Sequence, residues 1–129
     1  MRKAAQVKRA ALLRKRRNKY GVAPKDERTR GLEVFDSKLE MRYSEQLDLL
    51  RHALHPRDRV ESVRRQVAIP LEVNGCLICH YRADFEVMYG DGRIELHEVK
   101  GLDTPEWRLK EKLFRALFPA LTLKVIRKV

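Results

Sequence analysis

The segment Cys76–Tyr89 constrains the fold more than any other. Leu77, Cys79, Tyr81, Ala83, Phe85, Val87 and Tyr89 fall on one side of it, and His80, Arg82, Asp84 and Glu86 on the other. A two-residue period of this length defines a strand with one buried face. Turn signals bound it: Asn74-Gly75 before and Gly90-Asp91-Gly92 after. The chain therefore reverses at both ends, and strands are expected on either side. Val67, Ile69, Leu71 and Val73 alternate in the preceding one, and Arg93–Lys100 returns as the third, closed by Gly101. Pro70 has no N–H to give to a ladder, which places the first strand at a sheet edge.

Helical periods flank this meander. From Asp36 or Ser37 onward, Leu39, Tyr43, Leu47, Leu50 and Leu54 recur at the spacing of one buried stripe. Ser37 and Glu40 have capping-box spacing, and Pro56 ends the helix or follows its end. Residues 57–65 mix charge and apolar character too evenly to assign. Thr104 reads as an N-cap with Pro105 at the first helical position. Leu109, Leu113, Ala116 and Leu117 form a second stripe beside Trp107 and Phe114, and Pro119 stops it. Leu121–Ile126 is a last strand. Helix, three strands, helix and strand predict an α/β fold with a mixed sheet and helices packed on it.

The 129 residues suffice for one domain, and 43% hydrophobic content permits a packed core. No apolar run reaches the roughly 18 residues of a membrane span. The highly charged N-terminus does not read as a secretory signal, and two cysteines do not make a disulfide scaffold. A soluble cytoplasmic protein with no membrane association is expected.

The net charge of +11 is concentrated. Residues 1–30 hold 12 Lys and Arg against two acids, and the other 99 residues are near balance with 17 against 16. The expected organisation is a basic arm and linker over 1–30 and a folded domain over 31–129. Residues 2–17 are strong helix formers with a thin apolar side of Ala4, Val7, Ala11 and Leu12. Gly21, Pro24 and Gly31 mark residues 18–34 as linker. Such an arm suits a polyanion, nucleic acid first, through Arg14, Lys15, Arg16, Arg17 and Lys19. A solubilising tail, or a helix on an anionic membrane surface, fits the same composition.

The second hairpin places acids where a sheet should avoid them. Around a reversal centred on Asp91, Asp84 lies seven residues before and Glu98 seven after. Directly opposed residues have Cβ atoms about 4.5–5.5 Å apart, and like charges there destabilise the sheet. One resolution is a shared divalent cation, since Mg²⁺ takes one or two carboxylates together with water and phosphate oxygens. Lys100 lies on the Glu98 face and Arg82 on the Asp84 face, so both would add positive charge beside it. That grouping suits metal-assisted phosphodiester hydrolysis. The other resolution is an ordinary hairpin with solvated Asp84, Glu98 and Lys100.

The segments FDSKLEMRY (35–43), YRADFEVMY (81–89) and HEVKG (97–101) resemble the PD-(D/E)XK nuclease superfamily. More closely, they resemble small phage- and prophage-encoded, Holliday-junction-resolvase-like proteins within it. The resemblance spans roughly residues 18–129. It implies a restriction-endonuclease-like αβββαβ core and Mg²⁺-dependent DNA cleavage, with Mn²⁺ a possible substitute. By the same resemblance Asp84 and Glu98 are metal ligands, Lys100 is the catalytic lysine, and Glu40 is the first-helix acid that joins the metal and the catalytic set. Ala83 stands where the superfamily name has Pro. Arg82 and Lys110 are added as candidate DNA contacts, and Gln66 as a further residue near the site. The expected substrate is DNA, branched DNA or a Holliday junction by analogy, in phage recombination or processing. A homodimer in the bacterial host cytoplasm is expected. A non-catalytic nucleic-acid-binding module, or a phage accessory protein whose basic helix meets an acidic partner, is the alternative.

Cys76-Leu-Ile-Cys79-His80 has haem-attachment spacing but lies within the alternating strand. A zinc site would need two further ligands. Both cysteines are expected as buried small hydrophobes. His80 and His97 are expected in structural or DNA-facing roles.

Overall fold

A computed structural model describes residues 22–129 of the chain. The basic cluster Arg14, Lys15, Arg16, Arg17 and Lys19 and the helix expected over 2–17 lie outside them. The chain forms two compact units that divide between Lys38 and Leu39.

In the first unit the described residues hold a 3-10 turn, Asp26–Arg28, and a minimal hairpin. Its strands, β1 (Thr29–Arg30) and β2 (Glu33–Val34), pair antiparallel with Thr29 opposite Val34. Gly31 takes φ +61 in the reversal. The Arg28 guanidinium donates to the carbonyls of Ala23 and Phe35, which ties the turn to the hairpin. This segment, expected as linker from its glycines and proline, is locally structured.

The second unit follows the expected order. Helix α1 (Lys38–Leu50), starting at the unit boundary, is followed by β3 (Val60–Val73), β4 (Cys76–Tyr89), β5 (Ile94–Val99), α2 (Pro105–Leu117) and β6 (Thr122–Ile126). The sheet order is β3-β4-β5-β6, with β3–β4 and β4–β5 antiparallel and β5–β6 parallel. Helix α2 makes the crossover that a parallel pair requires. Pro70 lies in the edge strand, as its missing N–H demands. Asn74 and Gly75 both take positive φ (51° and 76°), the conformation that lets a two-residue turn follow the strand twist. Thr104 caps α2, its side chain accepting from the Trp107 amide at 3.1 Å.

Two apolar groups hold the unit. Leu71, Tyr81, Ala83, Leu96, Trp107, Phe114 and Leu123 form one cluster, with Leu113 and Leu117 against it. On α1, Tyr43 and Leu47 are buried, and the Tyr43 ring meets Phe85 edge-to-face at 5.6 Å. The periodic stripes overreach at their ends. Leu50 and Leu54 are exposed because α1 stops at Leu50 and Leu54 follows in a turn. Leu109 and Ala116 are exposed on the outer side of α2. Leu77 is exposed and so is Cys76, while Cys79 is half-buried. The tip of the β3–β4 hairpin pairs only within itself, beyond the reach of β5, so alternation there has no covering layer. Both cysteines are free thiols: Cys79 packs partly buried against the core cluster, and only Cys76 departs fully from the buried hydrophobe expected of it.

A buried polar chain crosses the unit. The Tyr43 hydroxyl lies 2.6 Å from His97 Nδ1, and His97 Nε2 lies 3.1 Å from Glu95 Oε1. Lys124 and Arg93 pair with the same carboxylate at 3.1 and 3.3 Å. Burial holds the His97 imidazole below its ordinary value of 6.5, against the raising effect of Glu95 and with that of Lys124 and Arg93. The folded protein thus binds fewer protons at His97 than the unfolded chain does between the lowered value and 6.5. Stability is then fully present above 6.5 and declines as pH falls through that window. Melting temperature is expected to be level from pH 8 to 7 and to drop by several degrees toward pH 5.5. Burial raises the Glu98 carboxyl and works in the opposite sense at lower pH, so the comparison with His97→Gln isolates the histidine. An unchanged slope in His97→Gln would show that His97 is not the source.

Candidate functional site

The β4–β5 register runs from Met88 opposite Ile94 to Phe85 opposite His97 and then stops. The expected reversal about Asp91 is therefore realised, and the next pair along it is Asp84 with Glu98. At that pair, side chains replace the ladder. Asp84 Oδ2 accepts from the Val99 amide at 2.8 Å, and the Asp84 amide donates to the Glu98 carboxylate. The other side of Asp84 is irregular too. The β3–β4 register passes from Arg65–Phe85 to Val67–Ala83 and omits Gln66, which has φ +53. A non-glycine residue in that region costs energy and persists only where its surroundings enforce it. The sheet is locally open on both sides of Asp84.

Glu40, in the first turn of α1, enters from the helix layer. It is 2% exposed, and its Oε1 accepts from Arg65 and from Gln66, each at 3.2 Å. The same Gln66 amide reaches Asp84 Oδ1 at 3.5 Å. Carboxylate oxygens of Glu40 and Asp84 lie within 4.8 Å of one another. The positive φ at Gln66 accounts for the arrangement: Arg65 and Gln66 are sequence neighbours on a strand, yet both reach Glu40.

Glu98 is 4% exposed. The Tyr81 hydroxyl donates to its Oε2 at 2.8 Å, and Lys100 Nζ lies 3.2 Å from its Oε1. Burial pushes the Glu98 carboxyl up, against the hydrogen bonds from Tyr81, Lys100 and the Asp84 amide. Burial likewise raises the Tyr81 phenol, with the Glu98 charge adding to it, so Tyr81 stays a donor. The Lys100 ammonium also sits 4.8 Å from the centroid of the Trp107 ring.

Beside this pair opens a cleft of about 280 Å³, walled by His80, Arg82, Lys100 and Lys110 as well as Glu98 and Trp107. Lys110 is held by Glu106 at 3.3 Å, one turn back on α2. The expected site residues thus fall into two linked groups. Glu40 and Asp84 meet around Gln66. Glu98 and Lys100 form the wall of the cleft that also holds Arg82 and Lys110. The Asp84 amide, donating to the Glu98 carboxylate, joins the groups. His97 is buried away from the cleft in the Tyr43–Glu95 chain.

Sequence reading missed Arg65, Tyr81 and Trp107 as parts of the site. Arg65 sits in the segment too mixed to assign. Tyr81 and Trp107 read as core residues, and they are in the core, but each also holds a charged side chain at its polar edge or ring face.

Residues 17–129 match the family described as Protein of unknown function (DUF1064), and the chain belongs to that family. No curated protein and no solved structure matches the chain.

Proposed function

We propose that this protein is a Mg²⁺-dependent DNA endonuclease, with the acidic group on β4, β5 and α1 as its centre. The observation that carries this reading is the pair of carboxylates, Glu40 and Asp84, held within 4.8 Å beside a strand junction where the Asp84 carboxylate accepts from the Val99 amide and the Asp84 amide donates to the Glu98 carboxylate. A fold selected for stability alone gains nothing from gathering acids at an interrupted ladder.

The donor set fits the ion. All three side chains offer hard carboxylate oxygens, the chemistry of Mg²⁺ and Mn²⁺ and not of thiophilic metals. Asp84, Glu98 and Glu40 would hold it. When bound, the ion supplies Lewis acidity toward a phosphoryl oxygen and an attacking water.

The protein's own groups do the rest. Lys100 brings an ammonium to the edge of the centre, where it offsets the negative charge that builds on the phosphoryl oxygens. The Trp107 ring and Glu98 fix that ammonium in place. Arg82 and Lys110 line the cleft and take the flanking phosphates. Tyr81 holds Glu98 with its second oxygen turned to Lys100. The basic residues before position 20 add affinity for the DNA backbone that is independent of sequence. Cutting both strands of a branched substrate requires two such centres, hence a homodimer.

The test is cleavage of a four-way junction and a linear duplex of equal length across a Mg²⁺ titration. Cleavage is expected with Mg²⁺ or Mn²⁺, abolished by EDTA, and faster on the junction. Equal rates on both substrates remove the branched-DNA reading. Binding without turnover, unaffected by EDTA, removes the nuclease reading and leaves a nucleic-acid-binding module.

A further inference from the structure

Each of the three acids has a neighbour in one small buried group. Tyr43 stands one helical turn after Glu40 on α1, Phe85 is next to Asp84 on β4, and His97 is next to Glu98 on β5. These neighbours touch. Tyr43 meets Phe85 at 5.6 Å between ring centroids and His97 at 5.7 Å, and Phe85 and His97 are partners across the ladder. Phe85 and His97 are almost wholly buried and Tyr43 nearly so. The last regular pair of the β4–β5 ladder is therefore also the seat of α1.

The hydrogen bonds within the group have one possible direction. Glu95 pairs with Lys124 and Arg93 and is an acceptor, so His97 Nε2 carries the proton toward it. The neutral ring then presents a lone pair at Nδ1, and the Tyr43 hydroxyl donates to it at 2.6 Å. Of the thirteen residues of α1 only Glu40, Tyr43 and Leu47 are buried. Leu47 contributes apolar contact without direction. The Tyr43–His97 bond is directional and ties the first turns of the helix to β5.

We infer that Tyr43 and His97 are positioning residues for the acidic centre: their hydrogen bond sets α1 against β5 and so holds Glu40 at its distance from Asp84. This rests on the cation reading of that centre given above. Ligand-supporting contacts of this kind commonly change metal affinity ten- to a hundredfold when removed.

Calorimetric titration of the 129-residue protein with Mn²⁺ alone tests it. Tyr43→Phe removes one oxygen and keeps the ring. It is expected to weaken Mn²⁺ binding about tenfold. In a Glu40→Gln background the same change is expected to cost less than about twofold, because the residue being positioned no longer ligates. Leu123→Ala lowers stability through the α2-side cluster and is expected to leave Mn²⁺ affinity within about twofold of wild type. Three results overturn the inference: wild-type affinity in Tyr43→Phe, an equal loss with and without Glu40, or an equal loss in Leu123→Ala. A wild-type protein that binds no Mn²⁺ overturns the cation reading, and the inference with it. If Tyr43→Phe does not fold, His97→Gln is carried through the same cycle with the same criteria.

Discussion

Asp84→Asn, Glu98→Gln and Lys100→Ala are each expected to lower Mg²⁺-dependent DNA cleavage by a factor on the order of 10² to 10⁴, the range typical for a group that acts on the reacting atoms. The fold is expected to survive all three. The amide introduced by Asp84→Asn keeps an oxygen for the Val99 N–H, which is the contact that closes the strand junction. The amide introduced by Glu98→Gln keeps an oxygen for the Tyr81 hydroxyl and, being neutral, no longer bears the desolvation cost that raises the Glu98 carboxyl. Lys100→Ala removes an ammonium that is only half-buried. The variants separate by mechanism. Asp84→Asn and Glu98→Gln should weaken Mn²⁺ binding along with turnover. Lys100→Ala should leave Mn²⁺ binding near wild type and lose turnover alone. DNA binding measured in Ca²⁺ should change little in any of them. Full cleavage by any one variant would reject the role assigned to that residue.

How much of this site could be read from the chain depends on which physical signal each part leaves. The β4–β5 register was legible because a tight turn fixes it: a reversal centred on Asp91 admits one pairing, and Phe85 opposite His97 follows. What could not be read is that the ladder ends one pair before the acids, so that the Asp84 carboxylate bonds to the Val99 amide and the Glu98 carboxylate to the Asp84 amide. Glu40 was legible as a first-turn helix acid, a capping-box partner by its spacing and a ligand only through the resemblance. The way its partners reach it was not, because Arg65 and Gln66 meet it only through a positive φ at Gln66 that no local residue preference announces. Periodicity gave the phase of each buried face but not its extent. Phe85 and Val87 are covered, while Leu77 on the same face is not. Whether another layer lies over a given position is a tertiary fact. Strand β3 begins at Val60, inside the stretch whose charges obscured it. An edge strand meets solvent along one side, and its sequence carries that polarity.

Deleting residues 1–17 is expected to reduce DNA affinity about a thousandfold at 0.15 M salt and to leave the turnover rate at saturating DNA unchanged. The segment carries eight Lys and Arg and no acid, while the chain from residue 31 onward is close to neutral. Most of the available counterion release therefore belongs to the arm. Each phosphate neutralised contributes about 0.9 to the slope of log K against log salt concentration. With half of the eight cations on phosphates, the slope flattens by about 3.5, and that power law gives roughly three decades between 1 M and 0.15 M salt. The family match begins at residue 17, so the deletion leaves almost all of the matched region in place, with Asp84, Glu98, Lys100 and Glu40. Equilibrium binding across a salt series, with single-turnover cleavage on the same DNA, measures both quantities. If affinity and slope stay at their values for the undeleted chain, the arm does not contact DNA. Its charge would then have to serve an acidic protein partner, and the cleft cations Arg82, Lys100 and Lys110 would have to carry DNA binding alone.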